Sequence, residues 1–320
     1  MASNDSKGRF ALAVLLVMLC YLSLSAFFGY SFTQGANNRN VSVDTTVNIT
    51  NALPEVLYVS ISPVDAPNNI TLNAGSTRLV YCNATLRDWN GGGTVVANAT
   101  FFHNASVNST AADDNNTHYA NSTCANISAP YGTNGELINV SCSFPVLYYA
   151  NVGFWRCNVT VTDNYNYNES VVNSSRSNFN STHINAIYAL NVTPLIDYGN
   201  LSVGDTSDPQ EANVTNLGNT NINISVRGFT NTSYLSNGLG MVCDVGNISI
   251  ASQKYNAIGG TNPATYTNLS HTSAQVSGLT IAQQTNDSQQ VVNATYWLLY
   301  VPPNPFGRCN GTIVFQAERS

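Results

Sequence analysis

The chain has 320 residues, of which only 9% are charged, and a formal net charge of −6. It offers neither the basic stripe that neutralises nucleic-acid phosphates nor a polybasic patch for anionic lipid, so nucleic acid is not an expected partner. Its 17 Tyr, 12 Phe and 3 Trp exclude the aromatic-poor, highly charged composition of disordered chains. Asn (46 residues) and Ser plus Thr (62 residues) supply the polar surface instead.

Residues 10–32 run 23 positions without a charge and follow Lys7 and Arg9. About 20 apolar residues are needed to cross a bilayer, and flanking positive charge keeps its own side inside. The expectation is a cytoplasmic N-terminus over 1–9, a single transmembrane helix over 10–32 and a polar linker over 33–55, with the bulk of the chain outside the cell. Ser23-Leu24-Ser25 has the small residues of a signal-peptidase site, and cleavage there would make the protein secreted. If anything holds the protein to the membrane, it is this N-terminal segment.

Beyond that segment the chain carries 25 Asn-x-Ser/Thr sequons, against roughly 9 expected from chance pairing of its residues. In 16 of them the middle residue is Val, Ile, Leu or Ala. Along a strand, residues i and i+2 share one face and i+1 points to the other. A sequon of this kind therefore places Asn and Thr together in water and its apolar residue in a core. The candidate glycosylation sites are Asn83, Asn98, Asn139, Asn158, Asn191, Asn213, Asn223, Asn247, Asn268, Asn293 and Asn310. The competing reading, polar filler on strands, is disfavoured because Asn is a poor strand former.

The first folded region is expected over 56–186. Val80, Cys82, Ala84 and Leu86 share one strand face, and Trp155, Cys157, Val159 and Val161 share another. Two inward cysteines on separate strands, with an aromatic two positions before the second, resemble an immunoglobulin-like β-sandwich. That resemblance implies a bridge between Cys82 and Cys157. The chain departs from the antibody pattern: Trp155 stands where Tyr is usual, and Trp89 falls in the Gly91-Gly92-Gly93 turn instead of the core. Between the two strands lies a long excursion, 104–135. Cys124 and Cys142 flank its end and are expected to close a local loop; six cysteines outside the apolar segment allow 15 connectivities.

A polar stretch over 164–181 separates this region from the second, expected over 187–320. Strand signals fall at 187–192 and 198–205. A hairpin is expected from 212 to 226, with Asn216-Leu217-Gly218-Asn219 as its turn. This region, with Val301-Pro302-Pro303, Gly307 and Gly311-Thr312-Ile313, resembles the immunoglobulin-like modules of archaeal secreted and surface-layer-type proteins over roughly 190–317. Cys243 and Cys309 are left to pair within it. The expected fold is all-β: two immunoglobulin-like sandwiches after one transmembrane helix.

Motifs for catalysis are absent from the sequence: no Gly-x-Ser-x-Gly, His-Glu-x-x-His, phosphate loop or EF-hand loop. Asp113-Asp114-Asn115-Asn116 has oxygen chemistry suited to calcium, although such a run is more often a solvated loop. No cofactor is expected. The sequence reads as a non-catalytic, glycosylated cell-surface protein in surface structure, adhesion or recognition, with surface glycans or other surface proteins as partners. Two alternatives remain. Lys7-Gly8 before an apolar helix is similar to the processing site of type IV pilin-like or archaellin-like filament subunits. A secreted carbohydrate-binding module or enzyme would share the fold class.

Overall fold

The computed structural model describes residues 42–65, 67–105, 107–163, 176–230, 236–288 and 290–320. The expected transmembrane helix at 10–32 lies outside these residues, and among the described ones no helix is long and apolar enough to cross a membrane. Residues 42–50, the described part of one unit, carry no regular secondary structure; residues 51–320 form the other unit.

Nine strands build the first half of this larger unit: β1 (Glu55–Ser62), β2 (Asn69–Ile70), β3 (Thr77–Arg87), β4 (Val95–His103), β5 (His118–Asn121), β6 (Ala125–Asn126), β7 (Leu137–Leu147), β8 (Gly153–Asp163) and β9 (Arg176–Ile184). They pair as two sheets, β1-β3-β7-β6 and β2-β9-β8-β4-β5. Period-two alternation drives this arrangement. Val80, Cys82, Ala84 and Leu86 of β3 face inward, as do Trp155, Cys157, Val159 and Val161 of β8, and all eight are buried. Phe101 stacks on Trp155 at 4.9 Å between ring centroids and lies 5.9 Å from Phe144, filling the space between the sheets.

The excursion over 104–135 carries β5 and β6 at the sheet edges. One feature departs from expectation. The polar stretch over 164–181 contains the start of β9, which pairs along β8 from Arg176 opposite Val161 to Ile184 opposite Gly153. The reason is visible at its seam with β1. Asn178 and Asn180 turn inward and donate their amide N–H groups to the Val56 and Val59 carbonyls at 3.3 and 2.9 Å. Amides close this edge where methyl groups would ordinarily do so, and the strand leaves no apolar alternation to detect.

The second half comprises β10 (Leu190–Val192), β11 (Gln210–Asn216), β12 (Ile222–Phe229), β13 (Leu239–Val245), β14 (Asn247–Ser249), β15 (Gln253–Asn256), β16 (Thr267–Asn268), β17 (Ala274–Ile281), β18 (Val292–Leu299), β19 (Phe306–Asn310) and β20 (Thr312–Arg319). They form sheets β10-β11-β18-β15-β16, β17-β12-β20 and β14-β13-β19. A second core gathers Val214, Ile222, Ile224, Val226, Tyr255 and Trp297. Residues 198–205 form no strand.

The expected hairpin over 212–226 does not form. β11 pairs with β10 and β18, whereas β12 pairs with β17 and β20, so the chain crosses between sheets at 217–221. Asn216 enforces the crossing. Its buried amide nitrogen donates to the carbonyls of Thr220 (2.8 Å), Ala282 (3.0 Å) and Ile281 (3.3 Å), and its Oδ1 accepts the Gly218 N–H at 2.9 Å. Gly218 is pressed so closely to Ile187 that a Cβ would sit 2.0 Å from its carbonyl oxygen.

The two halves meet through hydrogen bonds as well as through the chain. Asn116 donates to the carbonyls of Tyr149 (2.9 Å) and Gln284 (3.2 Å), and Gln283 donates to the Tyr149 carbonyl and to Asn151 Oδ1. The Tyr148 hydroxyl reaches Gln284 Oε1 and the Tyr149 hydroxyl reaches Asp287. Burial, followed by the neighbouring Asp287 carboxylate, pushes the Tyr149 phenol well above its ordinary pKa, so this hydroxyl stays a donor at neutral pH.

Candidate functional site

The chemistry on this surface is carried by asparagine and cysteine. All eleven candidate asparagines lie on strands, one each on β3, β4, β7, β8, β10, β11, β12, β14, β16, β18 and β19. None is buried: Asn83, Asn98, Asn139, Asn158 and Asn223 are half-exposed and the other six are exposed. The apolar residue inside each of the four sequons on β3, β4, β7 and β8 (Ala84, Ala99, Val140 and Val159) is buried.

Strand register brings these sequons together in a way the linear pattern does not reveal. On β3 and β7, Asn83 lies opposite Ser141 and Thr85 opposite Asn139, so each sequon's asparagine faces the other's hydroxyl residue. β4 and β8 repeat this, with Asn98 opposite Thr160 and Thr100 opposite Asn158. On β10 and β11, Asn191 faces Thr215, while Thr193 and Asn213 bond through their backbones. Two Asn/hydroxyl rows thus stand on the outer faces of the first half's two sheets.

Hydrogen bonds then sort the asparagines by which end of the amide is occupied. Asn139 accepts at Oδ1 from the Thr85 hydroxyl (2.9 Å) and the Tyr131 hydroxyl (3.0 Å), and its backbone N–H is held by Ser128 Oγ. Both bonds load the oxygen, which aims the nitrogen, the atom a glycan would take, away from them. Asn223 likewise accepts at Oδ1 from the Thr280 hydroxyl at 2.7 Å. Asn83 and Asn293 instead donate through the nitrogen, to Ser62 Oγ (3.0 Å) and the Thr280 carbonyl (3.1 Å). Two of the sequons outside the candidate set, Asn108 and Asn286, lie in loops and show their oxygens engaged. Each accepts at Oδ1 both the backbone N–H and the hydroxyl of its own sequon's third residue, Thr110 and Ser288.

The six cysteines are joined as three pairs. Cys82–Cys157 crosses from β3 to β8, tying the two sheets of the first half. Cys124–Cys142 fastens the end of the excursion to β7, and Cys142 stands directly opposite Cys82 in the β3–β7 register. Cys243–Cys309 joins directly opposed residues of β13 and β19 within one sheet.

The acidic run at 113–116 is engaged with protein groups. Asp114 accepts the Thr117 hydroxyl and the N–H groups of Thr117 and His118. Burial raises its pKa, but these hydrogen bonds outweigh that and hold it below the usual carboxylate value. Asp113 Oδ1 lies 2.7 Å from His118 Nδ1, and Asn115 donates to Asp287 at 2.7 Å. Among the described residues no group of three or more His, Cys, Asp or Glu is arranged to hold a metal ion. A cleft of about 320 Å³ opens in the second half beside Lys254, Leu298 and Tyr300, where the lysine donates to the Pro263 carbonyl at 3.3 Å.

No known protein-family pattern matches the chain, and no curated protein matches it. Solved structures that align with the chain include the chaperone–tip adhesion subunit pre-assembly complex of archaic chaperone-usher Csu pili from Acinetobacter baumannii, at 11% identity and a TM-score of 0.37, covering 82% of this chain and 100% of that one. The C-terminal domain of the AgI/II polypeptide BspA from Streptococcus agalactiae aligns at 10% identity and a TM-score of 0.24, covering 83% and 100%. A tip adhesin from Pseudomonas aeruginosa aligns at 8% identity and 0.23, covering 82% and 95%. At these scores the likenesses add nothing to what strand pairing already establishes: an all-β protein of sandwich type.

Proposed function

We propose that this chain is a non-catalytic, N-glycosylated cell-surface protein acting in surface structure or adhesion, exported behind its N-terminal apolar segment. One observation carries the reading: in the strand sequons on β3, β4, β7, β8, β11, β12, β14 and β16 the asparagine is half-exposed or exposed while the middle residue, from Ala84 to Leu269, is buried in a core. A chain using Asn only as polar filler has no need to place a hydroxyl residue two positions on, again and again. Three cysteine pairs support an oxidising compartment. The carboxylates of Asp65, Asp114 and Asp287 are each committed to hydrogen bonds that hold loops or the junction between halves, which supports a structural role over acid–base work. Glycopeptide mapping of the protein purified from its native cells tests this: sugar is expected on several strand asparagines, Asn139 among them, and a wholly unmodified chain would overturn the proposal.

A further inference from the structure

Residues 42–50 read Ser-Val-Asp-Thr-Thr-Val-Asn-Ile-Thr. Val43, Thr45, Val47 and Ile49 alternate with Ser42, Asp44, Thr46 and Asn48, which is the period-two, β-branched pattern of a half-buried strand. Yet Val43, Val47 and Ile49 are 79%, 82% and 81% exposed and belong to no sheet. The expected polar linker over 33–55 thus contains strand-grade sequence that pairs with no described strand.

The second half of the molecule has the complementary defect. β20 is the last strand of the sheet β17-β12-β20, and among the described residues its outer edge has no backbone partner. On β12, Ile224 and Val226 are fully buried, but their cross-strand neighbours on β20, Ala317 and Phe315, are only half-buried, as is Ile313. The core therefore runs out at β20. Across the seam, β10 is also a sheet edge and its Leu190 and Val192 are half-buried. With three residues, β10 cannot screen the eight of β20.

We infer that residues 42–50 of one copy add as a strand to the β20 edge of a second copy, laying Val43, Val47 and Ile49 over Phe315 and Ala317. Main-chain hydrogen bonding to an open edge with alternate side chains entering a groove is a general recognition mode. Chain reach argues that the occupant comes from another copy. Asn51 donates to Asp163 and the Ala52 N–H to Asn90, fixing the segment's attachment near the Arg87 end of β3. The second half joins at the opposite end, where the Gly75 N–H donates to the Leu217 carbonyl. An eleven-residue strand separates these ends by about 35 Å. Val47 can lie only about 14 Å from Asn51, so it cannot reach its own β20. A donor at one end and an acceptor at the other make a heterologous contact, which propagates head to tail. This inference stands whether or not the chain is glycosylated.

The test uses the full-length protein in detergent, prepared as Thr46→Cys and, separately, as Val314→Cys, Gln316→Cys or Glu318→Cys. Mild oxidation of a mixture should give a reducible dimer containing the linked 46 and 314–318 peptides. Adding Val47→Asp to the donor, a position too exposed to affect folding, should reduce that dimer at least tenfold. Absence of the linked peptides from all three mixtures would overturn the inference. So would efficient linkage within one chain of the Thr46→Cys/Gln316→Cys double variant at high dilution.

Discussion

The Thr85 hydroxyl donates to Asn139 Oδ1 at 2.9 Å across the β3–β7 pair, so the third residue of one sequon orients the asparagine of another. Thr85 and Asn139 are 54 residues apart in sequence, and their sequons share a row only because β3 and β7 are antiparallel neighbours. Thr85→Ala should remove modification at Asn83, whose sequon it destroys, and should cost about 1 kcal/mol from the lost hydrogen bond. Thr85→Ser should preserve both. Site mapping and a denaturant midpoint on the same two variants separate the effects.

The Cys82–Cys157 bridge closes a separation of 75 residues and Cys124–Cys142 one of 18. Loop-entropy arguments assign them about 4 and 3 kcal/mol respectively. Replacing the first pair with Ala should lower the thermal midpoint more than replacing the second, and calorimetry under matched conditions reads the order directly.

Arg78 grips Asp65 with two hydrogen bonds of 3.0 and 3.1 Å, and the Thr71 N–H adds a third at 2.9 Å. These hold the carboxyl down at about 2, from an ordinary value of 3.8. A depressed carboxylate stabilises the fold above its unfolded pKa and loses that contribution as pH falls through the folded one. Asp65→Asn should therefore lower the midpoint at neutral pH, and the difference from the parent protein should shrink between pH 4 and about 2. A gap that widened on acidification would contradict this assignment.

Asn116 spans the junction between the halves and is nearly buried there. Asn116→Ala should leave the Gln284 carbonyl short of a donor and cost about 1–3 kcal/mol. Heat unfolding of this variant should lose cooperativity, because the two cores would be less firmly coupled. Gly218→Ala is expected to be as damaging for a steric reason, given the 2.0 Å approach to the Ile187 carbonyl.

What the sequence made legible, and what it hid, follows from where the information resides. The inward faces at Cys82 and Cys157 were readable because apolar alternation is a local signal. β9 was not, since Asn178 and Asn180 satisfy the β1 edge with amides and mimic a polar linker. The crossing at Asn216 passed for a hairpin turn: Asn and Gly suit both, and the carbonyls of Ile281 and Ala282 that decide between them lie far along the chain. For the asparagines, their facing was visible in each sequon, whereas the reciprocal rows on β3–β7 and β4–β8 depend on register. The alternation at 43–49 is a local signal too, but nothing nearby in the sequence tells a strand there from a linker.

If these outward asparagines carry sugar, the intact mass of the protein from native cells will record it. The expected mass is heterogeneous and well above the 34.3 kDa of the polypeptide, collapsing toward the mass of the bare chain on chemical deglycosylation. A single species at the unmodified mass of the intact or processed chain would show that these asparagines carry none.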